Sequence, residues 1–196
     1  MPDPDVALVV AAAEPHVRCA CDEVFPGVPR MSLTRDKLRP RAPFAGPLFE
    51  VLSGLPHGAC VGLVVPVRWT PQAGPAGHRP PADACLPVID HLALALRGPL
   101  TGRWPAGVPR DFPQMAGIYQ PALVRACGGP RVYSSGVVVA GVADAARLSP
   151  FEARAVAEQG VIAVSDTLVP AAVVAAYYGL TLAACGVPPA DDNDEQ

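Results

Sequence analysis

Asp166 and Thr167 are the residues of this chain best placed for chemistry. They stand between an apolar run, Val161 to Ser165, and a second apolar segment that reads as a helix. A strand end leading into a helix N-terminus presents unpaired N–H groups and the positive end of the helix dipole, a setting suited to an anion. The Thr167 hydroxyl would add a donor there, whereas the Asp166 carboxylate would repel a dianion such as phosphate. Both residue types also serve as plain helix caps, and that reading stands beside the first. Upstream, the segment TPQAGP carries Pro71 and Pro75, each without the N–H that an anion would use. Metal chemistry finds little support. The histidines (His16, His57, His78, His91) show neither HxxxH nor HExxH spacing, and the six cysteines form no CxxC pair.

These residues must be held by strands and helices, and the last third of the chain shows them most clearly. Ser149-Pro150-Phe151-Glu152 combines an N-cap Ser, a Pro at the first helical position and a capping-box Glu. The helix should run to Gln159 and stop at Gly160 in the left-handed conformation. Val161 to Ser165 then reads as a strand, a helix follows to Gly179, and Leu180 to Cys185 is the next strand. This order predicts a right-handed parallel crossover between the last two strands. Earlier, Val6 to Ala13, Val61 to Val67, Leu86 to His91 and Gly136 to Gly141 read as strands, with a short helix over Gln120 to Ala126. Leu48 to Leu52 reads as a short strand, and residues 25 to 47, rich in Pro and Arg, as irregular connection. Residues 70 to 82 and Pro99 to Pro113 read as loops. Strands alternating with helices predict an α/β domain of three layers. Residues 1–187 would form that domain and 188–196 an acidic, disordered tail.

Composition narrows the function classes. At 196 residues the chain is one domain by size, and 51% of it is apolar. No apolar run reaches the roughly 18 to 20 residues needed to span a bilayer. The start lacks a basic region, which predicts no signal peptide. Net charge is −3 with no basic run, which argues against a nucleic-acid surface. Lys37 is the only lysine and Pro accounts for 25 residues, a pattern of coding bias more than of binding. Cys19 and Cys21 are too close for an ordinary disulfide on one strand. The cysteines read as small buried thiols of a reducing cytoplasm.

The stretch Asp90 to Tyr119, DHLALALRGPLTGRWPAGVPRDFPQMAGIY, resembles the central signature of trimeric purine nucleoside phosphorylases. In that family a DH pair is followed by NPL, a loop, and RFPxM with a Tyr. Here Asp90-His91, Gly98-Pro99-Leu100, Asp111-Phe112-Pro113-Gln114-Met115 and Tyr119 stand in those places. The likeness covers most of the chain and is strong from about Trp69 to Gly186. It implies a nucleoside-phosphorylase-like α/β/α domain with a mixed, largely parallel central sheet. The implied reaction is phosphate-dependent cleavage of the N-glycosidic bond of a purine nucleoside, with no cofactor beyond inorganic phosphate as co-substrate.

Carried over residue by residue, the resemblance puts the backbone of Ala73 and the hydroxyl of Thr167 at phosphate positions. Asp166 stands where a Met packs under the ribose. The Glu that binds the purine ring would fall near Leu148, and Asp144 would replace it only if its loop folds back. The glycine-rich phosphate loop after the first strand becomes Ala11-Ala12-Ala13-Glu14-Pro15. The GRxHxYEG phosphate motif, expected between residues 40 and 65, is not found; Arg39, Arg41 and His57 are nearby candidates that also read as surface residues. The purine-binding Asn segment and the last helix have no counterpart, Asp191, Asp192 and Asn193 lying close by in the tail. Asp90-His91 and Phe112-Pro113 are expected chiefly to support the fold. An aromatic offered to a neighbouring subunit would fall at Val108, with Trp104 as a substitute.

Phosphorolysis needs several donors around phosphate and stabilisation of the departing base. Losing one such donor typically costs about 3 to 4 kcal/mol. The expected reading is therefore a divergent homologue with weak or lost phosphorolysis and a binding or partner-subunit role, as a homotrimer or a mixed trimer with a paralogue. The alternative is an active pentosyltransferase with a remodelled site, in which Asp144, Asp166 and Thr167 act on an unusual nucleoside. A truncated gene product without specific activity is a third reading.

Overall fold

The computed structural model describes residues 6–40, 44–70, 80–81, 84–94, 98–102, 104–108, 110–127, 129 and 131–189. The elements follow in the order β1 (Val6–Ala12), α1 (Pro15–Val24), β2 (Arg30–Leu33), α2 (Arg35–Leu38), α3 (Pro47–Ser53), β3 (Cys60–Pro66) and β4 (Arg68–Trp69). Then come β5 (Leu86–Ala93), α4 (Pro121–Cys127), β6 (Val137–Gly141), α5 (Pro150–Glu158), β7 (Ala163–Ser165), α6 (Leu168–Tyr177) and β8 (Thr181–Val187).

The strands form one eight-stranded sheet in the order β2-β1-β3-β8-β5-β6-β7-β4. It is mixed and mostly parallel, as expected. β2, β1, β3 and β8 run one way, and β5, β6 and β7 the other, with antiparallel contacts at β5–β8 and β4–β7. Every residue of β3, CVGLVVP, is buried, which explains its continuous apolar run. Pro66 ends the strand, and after Val67 the chain resumes as β4 at the far edge of the sheet. β3 therefore borders β8 while its continuation borders β7, and the sheet closes on itself. Val67 N–H donates to Val187 O at 3.0 Å and Ser165 Oγ–H to Pro66 O at 3.0 Å, fastening the bend from both sides.

The core follows this closure. Val9, Val64, Leu86, Val139 and Cys185 are fully buried in the larger cluster. A smaller cluster joins Ala140, Val142, Val156, Val161 and Val164 beneath α5. α5 has the predicted start: Ser149 Oγ accepts from Glu152 N–H, and the Glu152 side chain accepts from Ser149 N–H. Gly160 follows at φ 77°, the left-handed stop.

Several expectations need correction. Leu48 to Leu52 lies in a helix, α3, which begins at Pro47 and buries Leu48, Phe49 and Leu52, a helical i, i+1, i+4 spacing. Residues 25 to 47 are not wholly irregular, because β2 and α2 lie within them. β7 and β8 are neither neighbours nor parallel; the parallel crossover joins β6 and β7 through α5. Thr167 holds the N-cap position of α6 without a side-chain cap bond. The capping oxygen belongs to Ser165, whose Oγ accepts from Thr167 N–H and Leu168 N–H, each at 3.3 Å.

Phe112 is 91% exposed, so it does not support the fold. Trp104 faces inward instead of offering itself to a neighbour. It packs edge-on against Phe44 and Tyr177, and its Nε1–H donates to Leu100 O at 2.8 Å. Ala73, Arg41, His78 and the segment 190–196 lie outside the described residues.

Candidate functional site

The bend at Val67 brings the carboxyl ends of strands from both halves of the sheet to one place. Glu14 follows β1, Thr34 and Arg35 follow β2, Asp144 follows β6 and Asp166 follows β7. Ala13, Glu14, Thr34, Arg35, Asp36, Arg39, Asp144 and Asp166 line an open cleft of about 580 Å³ there. Ligands of open α/β sheets sit outside strand carboxyl ends in this way.

Asp166 organises the cleft wall. Its carboxylate is buried, and Arg35 Nη2 and Arg39 Nη1 each donate to one of its two oxygens at 3.2 Å. Arg39 also donates from Nη2 to Ala143 O. Arg35 Nε lies 3.6 Å from Glu14 Oε1. Two cations, one at the start of the short helix α2 and one at its C-cap, thus tie the β6 and β7 ends to the loop after β1. Charge-assisted pairs of this kind are stronger than neutral hydrogen bonds, and a buried carboxylate without them would be costly.

Thr167 is fully buried, and its hydroxyl is engaged with Ser165 Oγ at 3.2 Å, so it stands behind the cleft wall. Asp144 lines the cleft but is turned toward its own loop, accepting from Ala146 N–H at 2.9 Å and pairing with Arg147 at 3.4 Å. Asp144 also lines a second, more apolar hollow of about 430 Å³ with Leu94, Val142, Leu148, Glu152 and Val156. Among the predicted site residues, the structure therefore gathers Asp144 and Asp166 at one cleft, with Thr167 adjacent and Leu148 in the hollow beside it.

Arg35 is the residue that sequence reasoning missed. Its signal was weak: RMSL before it is only a four-residue strand. Arg39, named among the candidates for the missing phosphate motif, does reach the cleft. His57 is exposed and its ring lies against Gly179.

Away from the cleft, His91 Nδ1 and Tyr119 Oη are 2.9 Å apart, and Asp90 Oδ1 accepts from His91 N–H at 2.8 Å. Burial lowers the His91 pKa, opposed by the Asp90 charge, and burial pushes the Tyr119 hydroxyl far up. Burial thus favours the uncharged form of both groups in the hydrogen bond they share. None of the six cysteines is in a disulfide. Burial raises the thiol pKa of Cys21 and Cys185, holding both protonated.

A methylthioadenosine phosphorylase from Schistosoma mansoni, solved without ligand, superposes on 97% of this chain and 82% of its own with a TM-score of 0.62 at 11% identity. A schistosoma purine nucleoside phosphorylase in complex with hypoxanthine gives 98% and 81%, a TM-score of 0.60 and 12% identity. The chain has the nucleoside phosphorylase fold. A scan of family models and a search of curated proteins by sequence return no match. Among the described residues no helix is long and apolar enough to cross a membrane. Among the described residues, four carboxylates line the cleft together with two guanidinium groups.

Proposed function

We propose that the cleft binds a purine-nucleoside-like ligand and supports little or no phosphate-dependent cleavage of it. The observation that carries this reading is the charge of the cleft wall. Glu14, Asp36, Asp144 and Asp166 outnumber Arg35 and Arg39, and the two arginines are already engaged by Asp166 and Glu14. An entering phosphate dianion meets carboxylates that no free cation among the described cleft residues offsets. Two like unit charges 4 Å apart repel by about 4 kcal/mol at the effective dielectric of a partly buried site.

A neutral nucleoside escapes that repulsion. Its planar base suits the apolar hollow of Leu94, Val142, Leu148 and Val156, and its hydroxyls suit the carboxylate of Asp144 where the two spaces meet. Leu148, at the place expected for a base-binding Glu, packs on a purine but cannot stabilise charge growing on it.

The test incubates pure protein with inosine, guanosine, adenosine and methylthioadenosine, with and without phosphate, and follows binding by calorimetry and base release by chromatography. Binding of at least one nucleoside without phosphate-stimulated release is the expected result. Phosphate-dependent release of base from any of the four would establish an active phosphorylase instead. Failure of all four to bind would remove the nucleoside reading.

A further inference from the structure

We infer that Asp166 is the chain's own occupant of an oxyanion seat, and that it is the residue deciding whether this cleft accepts a tetrahedral oxyanion. The two oxygens of its carboxylate take one guanidinium nitrogen each, Arg35 Nη2 and Arg39 Nη1, both at 3.2 Å. That is the arrangement by which a pair of arginines grips two oxygens of a phosphate. The carboxylate comes from the sheet side, 3% exposed, while Arg35 and Arg39 reach it from the surface, 42% and 36% exposed.

Arg39 is hydrogen-bonded, and Arg35 ion-paired, to a partner other than Asp166. Arg39 Nη2 donates to Ala143 O, and Arg35 Nε sits 3.6 Å from Glu14 Oε1. Removing the Asp166 carboxylate therefore leaves two oriented donors converging on the wall of a cleft of about 580 Å³ that is open to solvent. The amides of Thr167 and Leu168 are bonded to Ser165 Oγ, so the arginines are the donors that would hold the anion. This inference concerns the anion alone and does not depend on a nucleoside binding.

The test compares wild type, Asp166→Ser and Glu14→Gln by calorimetric titration with inorganic phosphate in a buffer free of other oxyanions. Glu14→Gln removes the same unit of negative charge from the cleft but leaves the seat filled. Asp166→Ser should bind phosphate at least about tenfold more tightly than wild type, the scale of one charge-assisted hydrogen bond. Glu14→Gln should gain far less than Asp166→Ser, because its charge is removed while the seat stays filled, and adding Arg39→Gln to Asp166→Ser should remove the larger gain. Equal gains in both single variants, saturable phosphate binding by wild type, or a folded Asp166→Ser with no gain would each overturn the inference. If Asp166→Ser loses its fold in oxyanion-free buffer, phosphate should restore the far-ultraviolet dichroism; no restoration also overturns it.

Discussion

His91 shows how much chemistry a single buried contact fixes. Its Nδ1 shares a hydrogen bond with the Tyr119 hydroxyl, which burial keeps protonated, and burial favours the neutral ring. In the folded state His91 therefore takes up a proton only at a pH below its ordinary value of 6.5, whereas the unfolded chain takes it up at that value. Stability from this contact is full above pH 6.5 and declines as the pH falls below it, because unfolding then binds a proton that folding excludes. Thermal unfolding of wild type should shift downward between pH 7 and 5 more than that of His91→Gln; equal shifts would show that the contact does not titrate as described. The same scale explains what was legible at the cleft. Asp166 and Thr167 stood out because the strand-to-helix junction around them is written locally. The cap went to Ser165, one position before Asp166 and two before Thr167, and the sequence alone does not say which of three adjacent polar side chains turns back. Arg35 was invisible because a long cation in a Pro-rich stretch reads as solvated surface until its carboxylate partner, far along the chain, is known.

At the scale of elements, legibility follows the strength of local signals. α5 was readable from its first residues because Ser149, Pro150 and Glu152 each satisfy a separate requirement of a helix start. That gives a direct prediction. Ser149→Ala removes the cap oxygen, leaving the Glu152 amide unpaired, and should lower stability by about 1 kcal/mol, read as a shift in urea midpoint at unchanged slope. A change below a few tenths would mean that α5 draws its stability from Val156 packing alone. α3 was misread because seven residues offer barely two turns, and an apolar cluster of that length fits either a strand or a helix. β2 and α2, four residues each, fall below the length at which periodicity means anything. The arginines of the cleft open and cap the second of them, Arg35 as the first residue of α2 and Arg39 as its C-cap. The part of the site hardest to foresee is therefore built on the shortest elements.

At the scale of the whole molecule, strand order is set by contacts between distant segments, and local pattern is silent about it. The sequence expectation of a parallel crossover from β7 to β8 failed because the sheet reverses direction between β8 and β5 and then closes through the bend at Val67. That closure also makes the site, since it is what sets Asp166 beside Glu14 and Arg35. Gly186 permits it: a Cβ there would lie 2.7 Å from Val67 Cγ1 and 3.3 Å from Val67 Cγ2. Gly186→Ala should therefore push Val67 outward and destabilise the fold by roughly 1 to 3 kcal/mol, as overpacking in a closed core does. Gly129→Ala, where nothing lies within 4 Å of the added atom, should stay within about 0.5 kcal/mol of wild type. Displacing Val67 also moves the end of β3 to which Ser165 is bonded, so Gly186→Ala should weaken ligand binding at the cleft under conditions where it remains folded. A folded Gly186→Ala that binds with wild-type affinity would show that the bend closes the sheet without positioning the site.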